Sequence, residues 1–243
     1  MKTALILGGT SDIGLAFARH LASDGWSLIL TGRNLEYLKR IAADIQIRKK
    51  VNVQALYLDA TDFFAHKAFY KNLDPKPDLC ACVFGYLGNK EILLNDWKEI
   101  ENVIDINYRG AVSLLNEVAV DFGKRGSGII IGISSVAGDR GRQSNIVYGS
   151  AKAAFSAYLS GLRNMMHQFG VHVMTVKPGY VDTRMTRMLD LPPALTASPQ
   201  QVATSIFKAA KRKQDQVYVL GVWRYIMLVI RVIPEHFFKR MRL

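Results

Sequence analysis

Thr3-Ala4-Leu5-Ile6-Leu7-Gly8-Gly9-Thr10-Ser11-Asp12-Ile13-Gly14 is the stretch on which the fold turns. Thr3 to Leu7 is a short apolar run that reads as a buried strand, and Leu15 to Ser23 has apolar residues at helical spacing. Between them lies a glycine-rich turn. Strand, turn and helix together aim backbone N–H groups and a helix N-terminus at one point, the arrangement that holds a phosphate. Gly8 and Gly14 permit the tight turn and the close approach of a pyrophosphate. Asp12 is read as an N-cap whose carboxylate accepts N–H bonds from the first helical turn. Thr10, Ser11 and backbone donors would then offset its charge beside a phosphate.

The same reading extends outward. The next strand, 27–31, runs into Gly32-Arg33-Asn34, where an NAD-binding unit places an acid on the ribose 2′-hydroxyl. No acid stands there. Arg33 is suited to a 2′-phosphate, which favours NADP(H) and keeps NAD(H) as the alternative; the other reading makes Arg33 a solvated residue opening the next helix. Strands are expected at 3–8, 27–31, 53–58, 79–84, 128–134, 171–177 and 217–220. Helices are expected at 13–23, 35–48, 62–72, 97–124, 147–169 and 199–211. The alternation predicts an α/β fold: one Rossmann-type, doubly wound parallel sheet of about seven strands, helices on both faces, in a single domain over 1–243. Ligands of such sheets sit beyond the carboxyl ends of the strands. The Gly8–Gly14 turn, Arg33, Asp59, Gly85, Ser135 and Pro178-Gly179 all fall at those ends.

Composition fits one globular unit. The 243 residues are 49% hydrophobic, enough to bury a substantial core. The two cysteines, Cys80 and Cys82, lie on one apolar stretch with no second pair, so packing is their expected role and no metal site is expected. Met1-Lys2 leads directly into the first strand and no uncharged apolar run reaches membrane-spanning length, so the expected compartment is cytoplasmic. The net charge is +12, but no nucleic-acid motif accompanies it, and nucleic acid is not an expected partner.

Chemistry enters with Tyr148-Gly149-Ser150-Ala151-Lys152. Residues four apart share a helix face, so Tyr148 and Lys152 point the same way. A nearby ammonium lowers a phenol's pKa, and Ser135, thirteen residues upstream, supplies a hydroxyl for a substrate carbonyl. Such a group can protonate an alkoxide as hydride reaches the carbonyl carbon.

With the glycine turn, these residues make the chain resemble the short-chain dehydrogenase/reductase family over its whole length. The resemblance implies roles. Tyr148 is the general acid in reduction, Lys152 lowers its pKa and holds the nicotinamide ribose, Ser135 orients the carbonyl, and Asn107 in Ile106-Asn107-Tyr108 supports a proton relay. It implies a cofactor set of Gly8, Thr10, Ser11, Asp12, Ile13, Gly14, Arg33, Asp59, Ala60, Gly85, Tyr148, Lys152, Pro178, Gly179, Val181 and Thr183. Within it, Val181 bonds the carboxamide through its backbone and Asp59 meets the adenine. Two departures stand out: Asp12 replaces a usual glycine, and Cys82-Val83-Phe84-Gly85 replaces the usual Asn-Asn-Ala-Gly, so that Phe84 packs near the adenosine.

A narrower similarity, to the decaprenylphosphoryl-2-keto-ribose reductases, is carried by several segments. They are residues 8–16, Phe84-Gly85-Tyr86-Leu87-Gly88, Ala137-Gly138-Asp139-Arg140, Asn145 to Ser150, and the tail from Trp223 to Pro234. It implies a 2-keto-pentose on a polyprenyl phosphate as substrate, in cell-envelope polysaccharide synthesis, produced upstream by a flavin oxidase partner. The family also implies a homo-oligomer.

Two further segments bear on the substrate. Residues 184–198 are read as an apolar lid; Arg184 and Arg187 in it, and Arg140 and Arg142 after the serine loop, are candidates for a lipid phosphate or else contact solvent or cofactor phosphates. From Lys208 onward there are nine Lys/Arg and two acids, and over 222–243 they flank a Trp, Tyr, Ile, Leu, Met and Val-rich run. That tail is either an interfacial helix lying on a membrane or an amphipathic helix packed on the core or in an oligomer interface. Two other functions stay open: a soluble ketoreductase of acyl or small carbonyl substrates, and a non-catalytic dinucleotide-sensing regulator.

Overall fold

A computed structural model describes residues 2–89 and 95–241. The elements run β1 (Thr3–Leu7), α1 (Asp12–Ser23), β2 (Ser27–Gly32), α2 (Leu35–Lys49), β3 (Val53–Tyr57), α3 (Phe63–Lys71), β4 (Leu79–Cys82), α4 (Trp97–Ile104) and α5 (Gly110–Arg125). They continue with β5 (Gly128–Ile133), α6 (Ile146–His167), β6 (Val171–Pro178), β7 (Tyr180–Val181), β8 (Thr196–Ala197), α7 (Pro199–Lys211), β9 (Gln216–Val219), α8 (Val222–Val232) and α9 (Glu235–Phe238).

Every residue of β1 is buried, as expected of a strand covered on both faces. It pairs in parallel with β2 on one side and β4 on the other, and the sheet order is β3-β2-β1-β4-β5-β6-β9. This is the doubly wound, seven-stranded α/β sheet predicted from the sequence. The strands are all parallel, and the order in which they are added reverses between β1 and β4, which opens the crevice where ligands of such folds bind. Phe17, Leu21, Leu38 and Ile206 pack on one face, and Leu114, Phe122, Phe155 and Leu159 on the other. Cys80 and Cys82, two apart on β4, both face the second core and are buried and unpaired, in keeping with a packing role.

Two features depart from the sequence reading, and the tail takes the core-packed of its expected alternatives. The helix expected at 97–124 is interrupted: α4 ends at Ile104, and a wider π-type turn, Asp105–Arg109, precedes α5. Such turns favour functional positions because they reorient side chains without ending the helix; here the turn carries buried Asn107. A small parallel pair, β7 with β8, ties the segment after β6 to the start of α7. The tail folds back as α8, whose Trp223 and Met227 are buried against Val136, with Leu195 and Tyr218 alongside. Arg242 and Leu243 of the tail lie outside the described residues. Among the described residues no helix is long and apolar enough to cross a membrane.

Gly179 explains how α8 sits so close to β6: a Cβ there would fall inside the Trp223 indole. Overpacking of this kind costs about 1–3 kcal/mol. Gly179→Ala is therefore expected to lower the melting temperature and shift Trp223 fluorescence; an unchanged melt and spectrum would contradict this packing.

Candidate active site

The glycine turn is closed by its own hydrogen bonds. Ser11 Oγ donates to the Gly8 carbonyl at 2.8 Å and accepts the Gly14 N–H at 3.1 Å. Ser11, not Asp12, is thus the N-cap of α1. The expectation for Asp12 fails because it already lies inside the first turn, with its side chain pointing outward. Its carboxylate instead accepts the backbone N–H of Arg184 at 2.8 Å and the Arg184 Nε at 3.1 Å, while the Arg184 fork also donates to the Thr10 carbonyl. A side chain at Gly14 would collide with the Gly8 carbonyl, so that glycine is required by the turn itself.

A cavity of about 360 Å³ opens from this turn. Of the predicted cofactor residues, Gly8, Thr10, Ser11, Asp12, Ile13, Arg33, Asp59, Ala60, Gly85 and Thr183 line it. So do Phe84, Tyr86, Ile106 and Met185. Gly14, Tyr148, Lys152, Pro178, Gly179 and Val181 do not. Burial pushes the Asp59 carboxyl up, but bonds from the Thr61 N–H and hydroxyl and the nearby Arg33 charge outweigh it and leave the group below its usual pKa. Gly85, which lines the cavity, lies next to the predicted catalytic side chains: a Cβ there would fall 3.0 Å from Asn107 Oδ1 and 3.5 Å from Lys152 Nζ. An extended anionic dinucleotide fits this set: a phosphate-sized turn at one end, Arg33 in the lining and Gly85 beside Lys152.

Beyond Gly85, α6 brings Tyr148 and Lys152 onto one face, with Lys152 Nζ 5.7 Å from the centre of the Tyr148 ring. Lys152 is buried and donates to the Ile133 carbonyl at 3.0 Å. Ser135, also buried, accepts the Ala137 N–H at 3.1 Å, which leaves its own hydroxyl proton available. Burial pushes Tyr148 up to about 12 although Ser135 pulls it down. Burial also lowers Lys152 to about 8. Desolvation therefore dominates the phenol in this structure, with Ser135 the opposing influence. Asn107 is fully engaged: its amide donates to the Tyr86 and Val103 carbonyls at 2.6 and 2.8 Å, and its Oδ1 accepts the Tyr86 N–H at 3.2 Å. It braces the loop in which the usual asparagines are missing. Tyr86, whose hydroxyl donates to Glu99 at 2.7 Å, is a site element that reasoning about individual motifs overlooked.

The far wall is built from the ends of β5 and β6. The turn after Ser135 ends at Asp139, whose side chain accepts from Lys177 at 2.5 Å and from the Tyr218 hydroxyl at 2.7 Å. Lys177 directly precedes Pro178-Gly179. The Val181 carbonyl accepts the Thr186 hydroxyl at 2.5 Å. Two arginines proposed for a lipid phosphate are committed elsewhere. Arg184 is paired with Asp12. Arg140 donates to the Ile230 and Ile233 carbonyls at 2.6 Å and to Glu235 at 2.9 Å, and stacks on Phe238. It closes the end of α8 and reaches no ligand space.

With this geometry in view, the comparisons give the class. The family model described as short chain dehydrogenase matches residues 2–192. The chain belongs to that family and is an NAD(P)-dependent oxidoreductase. It is 32% identical over 240 residues to an uncharacterized oxidoreductase of Mycobacterium tuberculosis, covering 98% of this chain and 96% of the relative. It is similar in fold to a short-chain dehydrogenase from Sphingobium yanoikuyae solved in complex with NADPH, with TM-score 0.83, 23% identity and 97% of each chain covered. It is also similar to an alcohol dehydrogenase of the archaeon Thermococcus sibiricus complexed with 5-hydroxy-NADP, with TM-score 0.78, 25% identity and coverage of 92% of this chain and 97% of that one.

The two buried groups set a pH dependence. Lys152 keeps its charge below about 8 and loses it above, whereas Tyr148 stays protonated well beyond that point. Reductive kcat/KM for the dinucleotide is expected to fall as pH rises through about 8, with no contribution from phenol ionisation. A profile flat through that region would show that the Lys152 charge is not used.

Proposed function

We propose that this oxidoreductase is an NADP(H)-dependent carbonyl reductase whose substrate is a lipid-linked keto-sugar reached at a membrane face. The observation that carries the reductase reading is Tyr148 and Lys152 on one face of α6, with Lys152 Nζ 5.7 Å from the centre of the Tyr148 ring and buried Ser135 near enough to draw the phenol's pKa down, at the carboxyl ends of parallel strands. A bound nicotinamide supplies the hydride. Tyr148 holds the proton that the nascent alkoxide needs, and its raised pKa keeps that proton in place at neutral pH. Ser135, anchored by the Ala137 N–H, donates to the same carbonyl oxygen. The Lys152 ammonium stabilises the phenolate left after transfer and is placed to hold the ribose. Asn107 contributes by keeping the Tyr86 loop and the π-turn in register, and its backbone remains the place for a water-borne proton relay.

Arg33, at the end of β2 with no acid beside it in the strand-end position, supports NADP(H), and the NADPH and NADP analogue bound by the two structural relatives agree with it. The turn from Gly8 to Gly14 would take the pyrophosphate, with the Arg184 guanidinium offsetting Asp12. Asp59 and Ala60 would face the adenine, and Pro178, Gly179, Val181 and Thr183 the nicotinamide end.

The membrane part of the reading rests on α8. Its inner side is docked, yet Tyr225, Leu228, Val229 and Val232 remain more than 60% exposed, and Arg224 and Arg231 flank them. Apolar residues entering the headgroup boundary beside basic ones suit anionic lipid, at about 1 kcal/mol per basic residue. An upstream flavin oxidase and a cell-envelope role follow only if the sugar is the keto-pentose implied by the resemblance. Self-association is assigned to α5 and α6, where Val120, Met165 and Phe169 are exposed together.

Tyr148→Phe is expected to reduce turnover of a ketone by about 10²–10⁴-fold while dinucleotide binding, followed by fluorescence, is retained. Full activity in that variant would eliminate the acid role. Flotation with anionic vesicles tests the tail: binding that weakens at high salt and is lost in Leu228→Glu/Val229→Glu is expected. Failure to float, combined with turnover of soluble keto-acyl substrates, would establish the soluble ketoreductase instead. Dinucleotide binding with no turnover of any ketone would favour the regulator.

A further inference from the structure

Three arginines in the described chain are partly buried: Arg140, Arg142 and Arg163. Protein interiors pair such groups almost without exception. Arg140 meets carbonyls and Glu235. Arg163 donates to the Val173 carbonyl at 2.7 Å, to Thr175 and to the Asp215 carbonyl. Arg142 makes no hydrogen bond and no ion pair among the described residues, and its Nε is fully buried without a partner. Burial lowers its pKa, and the charges of Tyr180 and Asp139 act on it from a distance. Asp139 makes no hydrogen bond or ion pair to it; its carboxylate accepts from Lys177 and Tyr218 instead.

A second orphan lies in the same turn. Asn145 Oδ1 is buried and unpartnered, and Asn145 makes no capping bond to α6 although it stands at that helix's N-cap. The two residues are joined by the bond from the Asn145 N–H to the Arg142 carbonyl at 3.2 Å. An unused donor and an unused acceptor thus lie three residues apart in one turn. Asn145 stands at the N-cap of the helix that carries Tyr148, three residues before it, and the Tyr180 that directly follows the Pro178-Gly179 turn is within electrostatic reach of Arg142. Of the four arginines that sequence reading offered for a phosphate, Arg140 and Arg184 are occupied and Arg187 is exposed on the outer segment, which leaves Arg142.

We infer that Arg142 and Asn145 form a substrate subsite for a ketone carrying an oxyanion and a hydroxyl, with Arg142 taking the phosphate or carboxylate and Asn145 Oδ1 accepting the hydroxyl. The inference rests on the carbonyl-reductase reading and sharpens its substrate class. A planar guanidinium binds a phosphate or carboxylate with two parallel N–H bonds, which selects for charge and geometry together. A hydroxyl donating to Asn145 would lie close to the carbonyl served by Tyr148, as in a polyhydroxylated ketone. A phosphodiester of a lipid-linked sugar and the monoester of a free sugar phosphate both present oxygens of this kind to Arg142.

The test compares a phosphorylated ketose with its unphosphorylated counterpart in wild type, Arg142→Met, Arg142→Lys and Asn145→Ala. Wild type is expected to prefer the phosphorylated ketose. Arg142→Met is expected to erase that preference by raising the KM for the phosphorylated ketose about ten- to hundredfold, with Arg142→Lys recovering part. Asn145→Ala should raise KM for both. A preference left intact in Arg142→Met, in protein with an unchanged melting temperature, overturns the proposal. If wild type reduces neither ketose, the reductase reading fails for these substrates and the subsite is judged by binding. Inorganic phosphate is then titrated into NADP⁺-saturated protein while Trp223, which packs edge-on against Tyr180, reports by fluorescence. Saturable quenching lost in Arg142→Met supports the subsite; no quenching, or equal quenching in the variant, overturns it. A lipid phosphodiester analogue competing where glucose 6-phosphate does not would assign the oxyanion to the lipid, and the reverse to a free sugar phosphate.

Discussion

The ion pair between Lys177 and Asp139 is what holds the far wall of the site in one piece. Both side chains are nearly removed from water, at 10% and 2% exposure, and removing one partner of such a pair typically costs about 3–5 kcal/mol because the other is left charged and buried. Its position matters more than its strength. Asp139 closes the turn that begins at Ser135, and Lys177 introduces the Pro178-Gly179 turn. The Tyr218 hydroxyl, on the edge strand β9, binds the second oxygen. Arg140, the next residue, fastens the end of α8. The serine, the nicotinamide-side turn, the edge of the sheet and the tail are thereby fixed relative to one another by two adjacent side chains.

At the opposite wall the chain solves a different electrostatic problem. A carboxylate at position 12 would repel a pyrophosphate, and the helix terminus could offset only part of that. Arg184 meets it in a largely exposed pair, of the kind worth about 0–1 kcal/mol in stability. The consequence is local neutrality rather than rigidity: the glycine turn regains the charge balance it would have with a glycine at that position, and the segment after β7 is drawn over the cavity mouth. Met185 follows it into the lining.

The elements of the fold were readable because buried parallel strands announce themselves locally. Thr3–Leu7, Val171–Pro178 and the strands between them begin within a residue of where apolar and β-branched runs predict. The placement of Tyr148, Lys152 and Ser135 was readable because helix periodicity and strand ends determine direction. What escaped depended on partners distant in sequence. Asp12 resembles an N-cap until Arg184, 172 residues away, is seen on its carboxylate. Arg140 resembles a ligand arginine until the last turn of α8 arrives on it. The π-turn at Asp105–Arg109 escaped because its residues are ordinary helix formers; the carbonyl of Ala60, into which a side chain at Gly110 would run, shows how closely α5 packs there. The raised pKa of Tyr148 was not legible either, because spacing reports a neighbouring charge but not the desolvation of the phenol.

The tail poses the remaining physical question, and its answer lies in the two sides of α8. Trp223 and Met227 are buried against Val136, with Ile226 and Ile230 beside them, so this helix is not waiting to find a docking place on its own protein. A surface helix should then turn polar residues outward. Instead Tyr225, Leu228, Val229 and Val232 face water, with Phe237 continuing the exposure onto α9. A helix apolar on both sides belongs in an interior or at a boundary. The density of Arg and Lys around this face argues against a matching copy of itself, since two such surfaces would bring like charges together. A partner that is apolar within and anionic at its rim meets both requirements, and this pairing of apolar and basic exposure is what the proposed membrane contact rests on.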